Sequence, residues 1–429
     1  MFAASQTYYH HPSPVLLKPK NSQLNVSESL LSVCKSVIPP FHPHPLLRNG
    51  HLQTCAILFA SDHVPIHYKR HVLNSETPND PGTFSIDVVV PASETPTEDK
   101  DSQTPSTSIS KPVLPETHPD YFPPRTTFFT QDEFDEWKSD DETNPLIIAL
   151  HGLSGGSHET YVRLTLEPLV RSKKDGGLGY DALVVNARGC GWTKLTDNKM
   201  FNAMFTRDIN HIVNLMRRKF PKRPLMAVGF SLGANILANY LGQSGAPTPL
   251  HAAVLLSSPH NMDVCAKIMF MTFTGRLYSK FMAGNLKKLF ERNFDMLSKN
   301  PAINIEGARN ATYLYDWDTA VTAPVFGFRT GGEYYRASSS VDKLIDVKIP
   351  TLIINAEEDP ISLQNAFPRQ EAEANPYICF VTTGYGGHLG WFEWGMQRWF
   401  PKPIMGFLER MAELEVVESE GEFVDVGRT

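Results

Sequence analysis

A serine hydroxyl is a weak nucleophile until a base within hydrogen-bond reach takes its proton. Its setting therefore decides whether it can do chemistry. In Leu225-Met226-Ala227-Val228-Gly229-Phe230-Ser231-Leu232-Gly233-Ala234-Asn235 an apolar run leads into the serine and a helix-forming run leaves it. Gly229, Ser231 and Gly233 make the pattern Gly-x-Ser-x-Gly, which predicts a strand turning abruptly into a helix, with only small residues fitting beside the turn. The N–H groups at the start of such a helix face any negative charge that develops next to Ser231. From this stretch alone, a structural serine in a glycine-rich turn is an equal reading. Its partners must decide.

The base is expected after a late strand. His388 stands in Gly384-Tyr385-Gly386-Gly387-His388-Leu389-Gly390, directly behind the apolar run Ile378-Cys379-Phe380-Val381-Thr382. The acid that orients the imidazole is expected before it, after another strand. Asn355-Ala356-Glu357-Glu358-Asp359-Pro360 offers three carboxylates. Asp359 is favoured, because Pro360 stiffens the turn that would aim it; Glu358 is the second choice. An oxyanion hole needs two backbone donors. The N–H of Leu232 follows the nucleophile, and the N–H of Leu153 lies in the loop after the run Leu146-Ile147-Ile148-Ala149-Leu150. His151, in that loop, is a poor candidate for a second base.

The positioning elements follow from hydrophobic pattern. Leu146–Leu150, Asp181–Asn186, Leu225–Val228, Ala252–Leu256, Thr351–Asn355 and Ile378–Thr382 read as buried strands. Helical spacing separates them, as in Ile209, Ile212, Val213, Met216 and Phe220. Alternation of this kind predicts an α/β fold, a mostly parallel central sheet flanked by helices. His67–Leu73 and Thr83–Val90 read as a further strand pair. Between 260 and 345 the strand rhythm stops and helical periodicity takes over, predicting a helical cap inserted over the serine. Residues 1–39 read as a mobile arm and a short helix, 40–413 as one domain, and 414–429 as an acidic tail. The Ser-, Thr- and Pro-rich stretch 91–115 predicts a disordered insertion.

Composition narrows the function classes. The chain has 429 residues, 41% hydrophobic and 20% charged, with a formal net charge of −6. No basic stripe interleaved with aromatics occurs, which excludes nucleic acid as an expected partner. The five cysteines show no CxxC spacing, so neither a disulfide framework nor a zinc site is expected. His42, His44 and His51 lie among prolines with no cysteine or carboxylate beside them, and read as part of a structured loop, not a metal site. No cofactor is expected. With no signal-like start and no long apolar run, the reading is a soluble intracellular protein.

Taken together, these motifs resemble the α/β-hydrolase superfamily, and within it the AB hydrolase 4 family. The matching residues are Asn49-Gly50-His51-Leu52-Gln53-Thr54, His151-Gly152-Leu153 with Gly155-Gly156-Ser157, Asn186-Ala187-Arg188-Gly189-Cys190-Gly191 and the Ser231 turn. Phe326-Gly327-Phe328, Tyr334-Tyr335-Arg336, Ser338-Ser339, Asp359-Pro360 and Gly386-Gly387-His388 complete the set. The chain order Ser231, Asp359, His388 is that of this superfamily's triads. The resemblance implies acyl transfer through an acyl-serine: an esterase or lipase for medium-chain acyl esters if water accepts the acyl group, an ester synthase if an alcohol does. A non-catalytic binding protein on the same fold is the alternative class. The apolar segment Val264–Leu297 suits an acyl-chain tunnel or ordinary helix packing. Its lysines suit a membrane or lipid-droplet surface, or a plain solvated face.

Overall fold

The computed structural model describes residues 2–20, 26–60, 64–77, 80–92, 125–137, 142–245 and 248–417. The insertion expected over 91–115 falls, beyond its first two residues, outside the described residues.

The strands are β1 (Gln6–His10), β2 (Leu16–Pro19), β3 (Glu28–Ser29), β4 (His67–Asn74), β5 (Thr83–Val90), β6 (Thr126–Phe128), β7 (Leu146–Leu150), β8 (Asp181–Asn186), β9 (Leu225–Phe230), β10 (Leu250–Leu256), β11 (Thr351–Ala356), β12 (Ile378–Thr383) and β13 (Leu414–Val416). Ten of them form one sheet in the order β1-β12-β11-β10-β9-β7-β8-β5-β4-β6. The six strands from β12 to β8 run parallel. Strand β5 joins β8 antiparallel, and β4 joins β5 the same way. This is the α/β fold with a mostly parallel central sheet that the alternating pattern predicts.

Side chains alternate across a strand, and the core divides accordingly. Ile148, Leu183 and Ala227 belong to one apolar layer, while Ile147, Val184 and Val228 belong to the other. Helices cover both. Those used below are α1 (Leu30–Val37), α2 (Gly50–Ala56), α3 (Gln131–Glu136), α4 (Thr160–Val170), α5 (Arg207–Lys219), α6 (Leu232–Ser244), α7 (Met262–Met271) and α8 (Phe273–Arg292). Helices α7 and α8 open the inserted segment between β10 and β11, which closes with a helix at Gly331–Ser338. Among the described residues no helix is long and apolar enough to cross a membrane.

One terminal expectation needs correction. The arm read as mobile contains β1, which pairs antiparallel with β12 from Gln6↔Thr383 to His10↔Cys379. The cause is the open edge of β12, which needs a hydrogen-bonding partner, reinforced by the stacking of Tyr9 on Phe380 at 5.4 Å. At the other terminus, the acidic tail begins with β13, which pairs with β2, and β2 with β3, in a separate three-stranded sheet.

Strand pairing also buries a polar cluster that shapes the loops near Ser231. Arg70 of β4 and Asp87 of β5 are 1% and 0% exposed, and the guanidinium donates to both carboxylate oxygens at 2.6 and 2.7 Å. Ser157 and Asn186 add hydrogen bonds to Asp87 at 2.5 and 2.8 Å. Burial alone would raise the Asp87 carboxyl, but the Arg70 charge and these hydrogen bonds hold it below the usual carboxylate range. The cluster then reaches outward: Arg70 donates to Gly191 O, the Gly191 N–H to Gly155 O, and the Ser157 N–H to Asn186 Oδ1. Gly155-Gly156-Ser157 and Asn186…Gly191 are thereby fastened to one buried charge pair. Arg70→Met, which leaves Asp87 buried without its cation, is expected to cost about 3–5 kcal/mol of unfolding free energy. Denaturant unfolding measures this, and adding Asp87→Asn to Arg70→Met should recover part of the loss.

Candidate active site

The candidate residues gather where the parallel strands end. Ser231 follows β9, Leu153 follows β7, Asp359 follows β11 and His388 follows β12. These strands are neighbours through β10, so their carboxyl ends form one continuous rim, the place where open α/β sheets hold ligands.

The turn after β9 is tight. Ser231 has φ 52° and ψ −117°, a left-handed conformation uncommon for a residue with a side chain. Its N–H donates to Leu256 O of β10 at 2.9 Å, and its own carbonyl receives the Ala234 and Asn235 N–H groups as α6 begins. The flanking glycines are required by space. A Cβ at Gly229 would stand 2.6 Å from Ala234 Cα, and one at Gly233 2.4 Å from the carbonyl oxygens of Leu150 and His151.

The three side chains singled out in the sequence come together. Ser231 Oγ lies 2.8 Å from His388 Nε2, and His388 Nδ1 lies 2.9 and 3.1 Å from the Asp359 carboxylate oxygens. A carboxylate only accepts, so Nδ1 carries the proton and Nε2 accepts the serine hydroxyl. All three are buried. Asp359 is itself aimed by the N–H groups of Ile361 and Ser362, both donating to Oδ1 at 2.8 Å. Glu358, the second choice for the acid, points elsewhere. It is exposed, and its carboxylate accepts the Gly50 N–H at 2.9 Å.

That bond belongs to a seat for the histidine loop that sequence reasoning did not derive. The Thr54 hydroxyl donates to Gly50 O at 2.7 Å and accepts the His388 N–H at 2.9 Å. Gln53 accepts the Phe392 N–H at 2.6 Å. Gly50 packs directly beneath Glu358, whose carbonyl oxygen would lie 1.7 Å from a Cβ there. The stretch Asn49–Thr54 was legible as a motif; its role required knowing that α2 docks under loops more than 300 residues away.

Neither candidate oxyanion donor is committed elsewhere: the N–H groups of Leu153 and Leu232 have no hydrogen-bond partner among the described residues. Both residues line the same cavity as Ser231. His151 is occupied differently. Its Nδ1 donates to Gly152 O at 2.7 Å and its Nε2 accepts the Ala187 N–H at 3.1 Å. Burial brings its pKa down to about 4, partly opposed by the Gly152 carbonyl and by Asp87. It is a neutral loop brace, not a second base.

The cavity beside Ser231 runs under the inserted helices. Met262, Cys265 and Met269 of α7 and Met282 and Leu286 of α8 line it. Met262, Met269 and Met282 therefore face the cavity, while Met271 is exposed. Phe270, Phe273 and Phe281 are exposed instead, and Phe290 is buried in the core. The cavity also has a polar side that the sequence did not reveal. Asp318 lies in a π-helical turn over Asp318–Thr322 and accepts the Tyr335 hydroxyl at 2.7 Å. Burial pushes its pKa up to about 6, against the hydrogen bonds from Thr322 and Tyr335. Among the described residues no group of three or more His, Cys, Asp or Glu could hold a metal ion.

Residues 145–390 match the family model described as alpha/beta hydrolase fold. The chain belongs to this family. It is 31% identical to a monoacylglycerol lipase of Saccharomyces cerevisiae over 374 residues, 85% of this chain and 79% of that protein. It is 32% identical to medium-chain fatty acid ethyl ester synthase/esterase 2 of the same yeast over 405 residues, covering 88% and 87%. The mouse phospholipase ABHD3 is 31% identical over 277 residues, covering 64% of this chain and 66% of that protein. In this α/β-hydrolase the carboxylate against His388 is Asp359, which separates the neighbouring acids by experiment. Asp359→Asn is expected to lower kcat for ester hydrolysis by about 10⁴-fold through the wrong imidazole tautomer. Glu358→Gln is expected to leave it near wild type, both read from steady-state kinetics on folded protein.

The brace at His151 generates a pH prediction. Its folded pKa lies below the ordinary value of about 6.5, so its contribution to stability is complete above about pH 6.5 and is lost as pH falls towards 4. Melting temperatures of wild type and His151→Gln should converge over that window, or cross, as acid removes the wild type's advantage.

Proposed function

We propose that the protein is a serine hydrolase that cleaves carboxylic esters of medium-chain acyl groups through an acyl-Ser231 intermediate. The observation that carries this reading is the hydrogen-bonded line from Asp359 through His388 to Ser231, opening on an apolar cavity. Ser231 Oγ attacks the ester carbonyl carbon while His388 Nε2 takes the hydroxyl proton. The tetrahedral oxyanion is held by the N–H groups of Leu153 and Leu232, and Asp359 stabilises the imidazolium. His388 then protonates the leaving alcohol. Water, deprotonated by the same imidazole, attacks the acyl-serine and releases the free acid. Removing an oxyanion donor of this kind costs about 3 kcal/mol of transition-state stabilisation.

The inserted helices over residues 260–345 serve as a cap whose methionines bed the acyl chain, since Met adapts to irregular apolar space. Asp318 and Tyr335 suit a hydroxyl on the alcohol side, as an acylglycerol would carry. Such a substrate is met at a membrane or lipid-droplet surface, with which the protein makes peripheral contact. The second reading is transfer of the acyl group to an alcohol, favoured by the similarity to an ester synthase/esterase.

Ser231→Ala is expected to abolish turnover of medium-chain p-nitrophenyl esters while the protein stays folded by circular dichroism. Unchanged turnover would remove the nucleophile assignment and favour a non-catalytic role for the site. Incubation with octanoyl-CoA, octanoyl glycerol or ethyl octanoate, with and without ethanol, separates the two readings. Free octanoic acid alone supports the hydrolase; ethanol-dependent ethyl octanoate supports the synthase.

A further inference from the structure

Helices α7 and α8 have two apolar faces, and only one belongs to the cavity. The inner face carries Met262, Met269, Met282 and Leu286 towards Ser231. On the outer face Phe270, Met271, Phe273, Leu277 and Phe281 are 53–77% exposed. Phe273, Leu277 and Phe281 are four residues apart, so they form one stripe along α8. The apolar surface continues onto the neighbouring end of α2. Tyr278 stacks on His51 at 5.7 Å and approaches Cys55, while Leu58 and Phe59 beyond them are 67% and 84% exposed. A soluble domain rarely presents large side chains grouped in this way without a partner.

Charge identifies the partner. The chain carries a net charge of −6, yet from Val264 to Phe290 it has Lys267, Arg276, Lys280, Lys287 and Lys288 and not one Asp or Glu. Lys267 is paired with Asp263 at 2.5 Å. Lys280, Lys287 and Lys288 line a shallow groove beside the apolar stripe, with Glu291 at its end. Exposed aromatics and aliphatics flanked by cations along a helix match a lipid surface with anionic headgroups. The same charges disfavour a second copy of this face, because an isologous contact would set lysines against lysines.

We infer that the outer face of α7 and α8 docks the protein on an anionic phospholipid surface, with Phe273, Leu277 and Phe281 among the acyl chains and Lys280, Lys287 and Lys288 at the phosphates. The inner face of the same two helices then holds the Ser231 cavity against that surface. The inference rests on the proposed lipid-ester function only for its purpose; the docking itself does not require catalysis.

Flotation of the full Ser231→Ala chain with phosphatidylcholine vesicles, with and without phosphatidylserine, tests docking independently of turnover. The expected result is co-flotation with the anionic vesicles, weak or no binding to the neutral ones, and release at high salt. On the otherwise wild-type chain, Phe273→Ser/Leu277→Ser/Phe281→Ser is expected to lower vesicle affinity by about tenfold or more. Its hydrolysis of water-soluble p-nitrophenyl butyrate should be unchanged, which also shows that it is folded. Absence of binding to anionic vesicles, equal binding to neutral ones, or full binding by the triple variant would overturn the inference. So would dimerisation of the lipid-free protein that the triple variant abolishes. Loss of butyrate hydrolysis in Ser231→Ala with vesicle binding intact would support both readings, and intact hydrolysis with binding would leave the docking standing without the catalytic one.

Discussion

The constraint on which the site depends is the turn at Ser231. A residue with a side chain at φ 52° is strained by about 1–3 kcal/mol, and the strain persists because the surroundings fix the turn from every side. Leu256 O takes the Ser231 N–H, α6 starts on its carbonyl, and Gly229 and Gly233 let strand, helix and the β7 loop approach to distances no Cβ would allow. The hydroxyl is left standing above the sheet rim. From there it meets an imidazole from β12, which is held by a carboxylate from β11. Leu153 and Leu232, whose N–H groups are uncommitted among the described residues, line the same cavity as the hydroxyl.

The hydrogen bonds behind these side chains explain why those loops arrive in register. The β12 loop is seated on α2 through Thr54 and Gln53, and the β7 loop is braced by His151 and by the charge pair of Arg70 and Asp87. Both supports come from outside the parallel core, one from the segment before it and one from its antiparallel extension. The antiparallel strands β4 and β5 are thus more than decoration of the sheet edge, since they bury the charges that pin Gly155 to Ser157.

The parallel strands were legible in the sequence because strands covered on both faces leave continuous apolar runs, and the runs ending at Leu150, Val228 and Thr382 lie at or within two residues of the observed strand ends. Ser231, Asp359 and His388 were legible because each follows such a run in glycine- or proline-marked turns. What remained hidden depends on contacts between distant segments. Nothing local in Gln6–His10 announces an edge strand, whose pairing answers the open edge of β12. The role of Gly50 and Thr54 likewise exists only against Glu358 and His388. In the cap, helical periodicity marked α8, but two apolar faces on one helix look alike in sequence. Only packing tells Met282, turned inward, from Phe281, left outside.

The inserted helices thus turn one face to the Ser231 cavity and the other to the outside, above the rim that carries Ser231, Asp359 and His388. Covalent capture tests the reaction at that rim. Wild-type protein turning over p-nitrophenyl octanoate is acid-quenched in the steady state, digested and examined by peptide mass spectrometry. The expected product is a single octanoyl group on the peptide containing Ser231, absent when the protein is first blocked with a fluorophosphonate. Turnover accompanied by an acyl group on any other residue would contradict it.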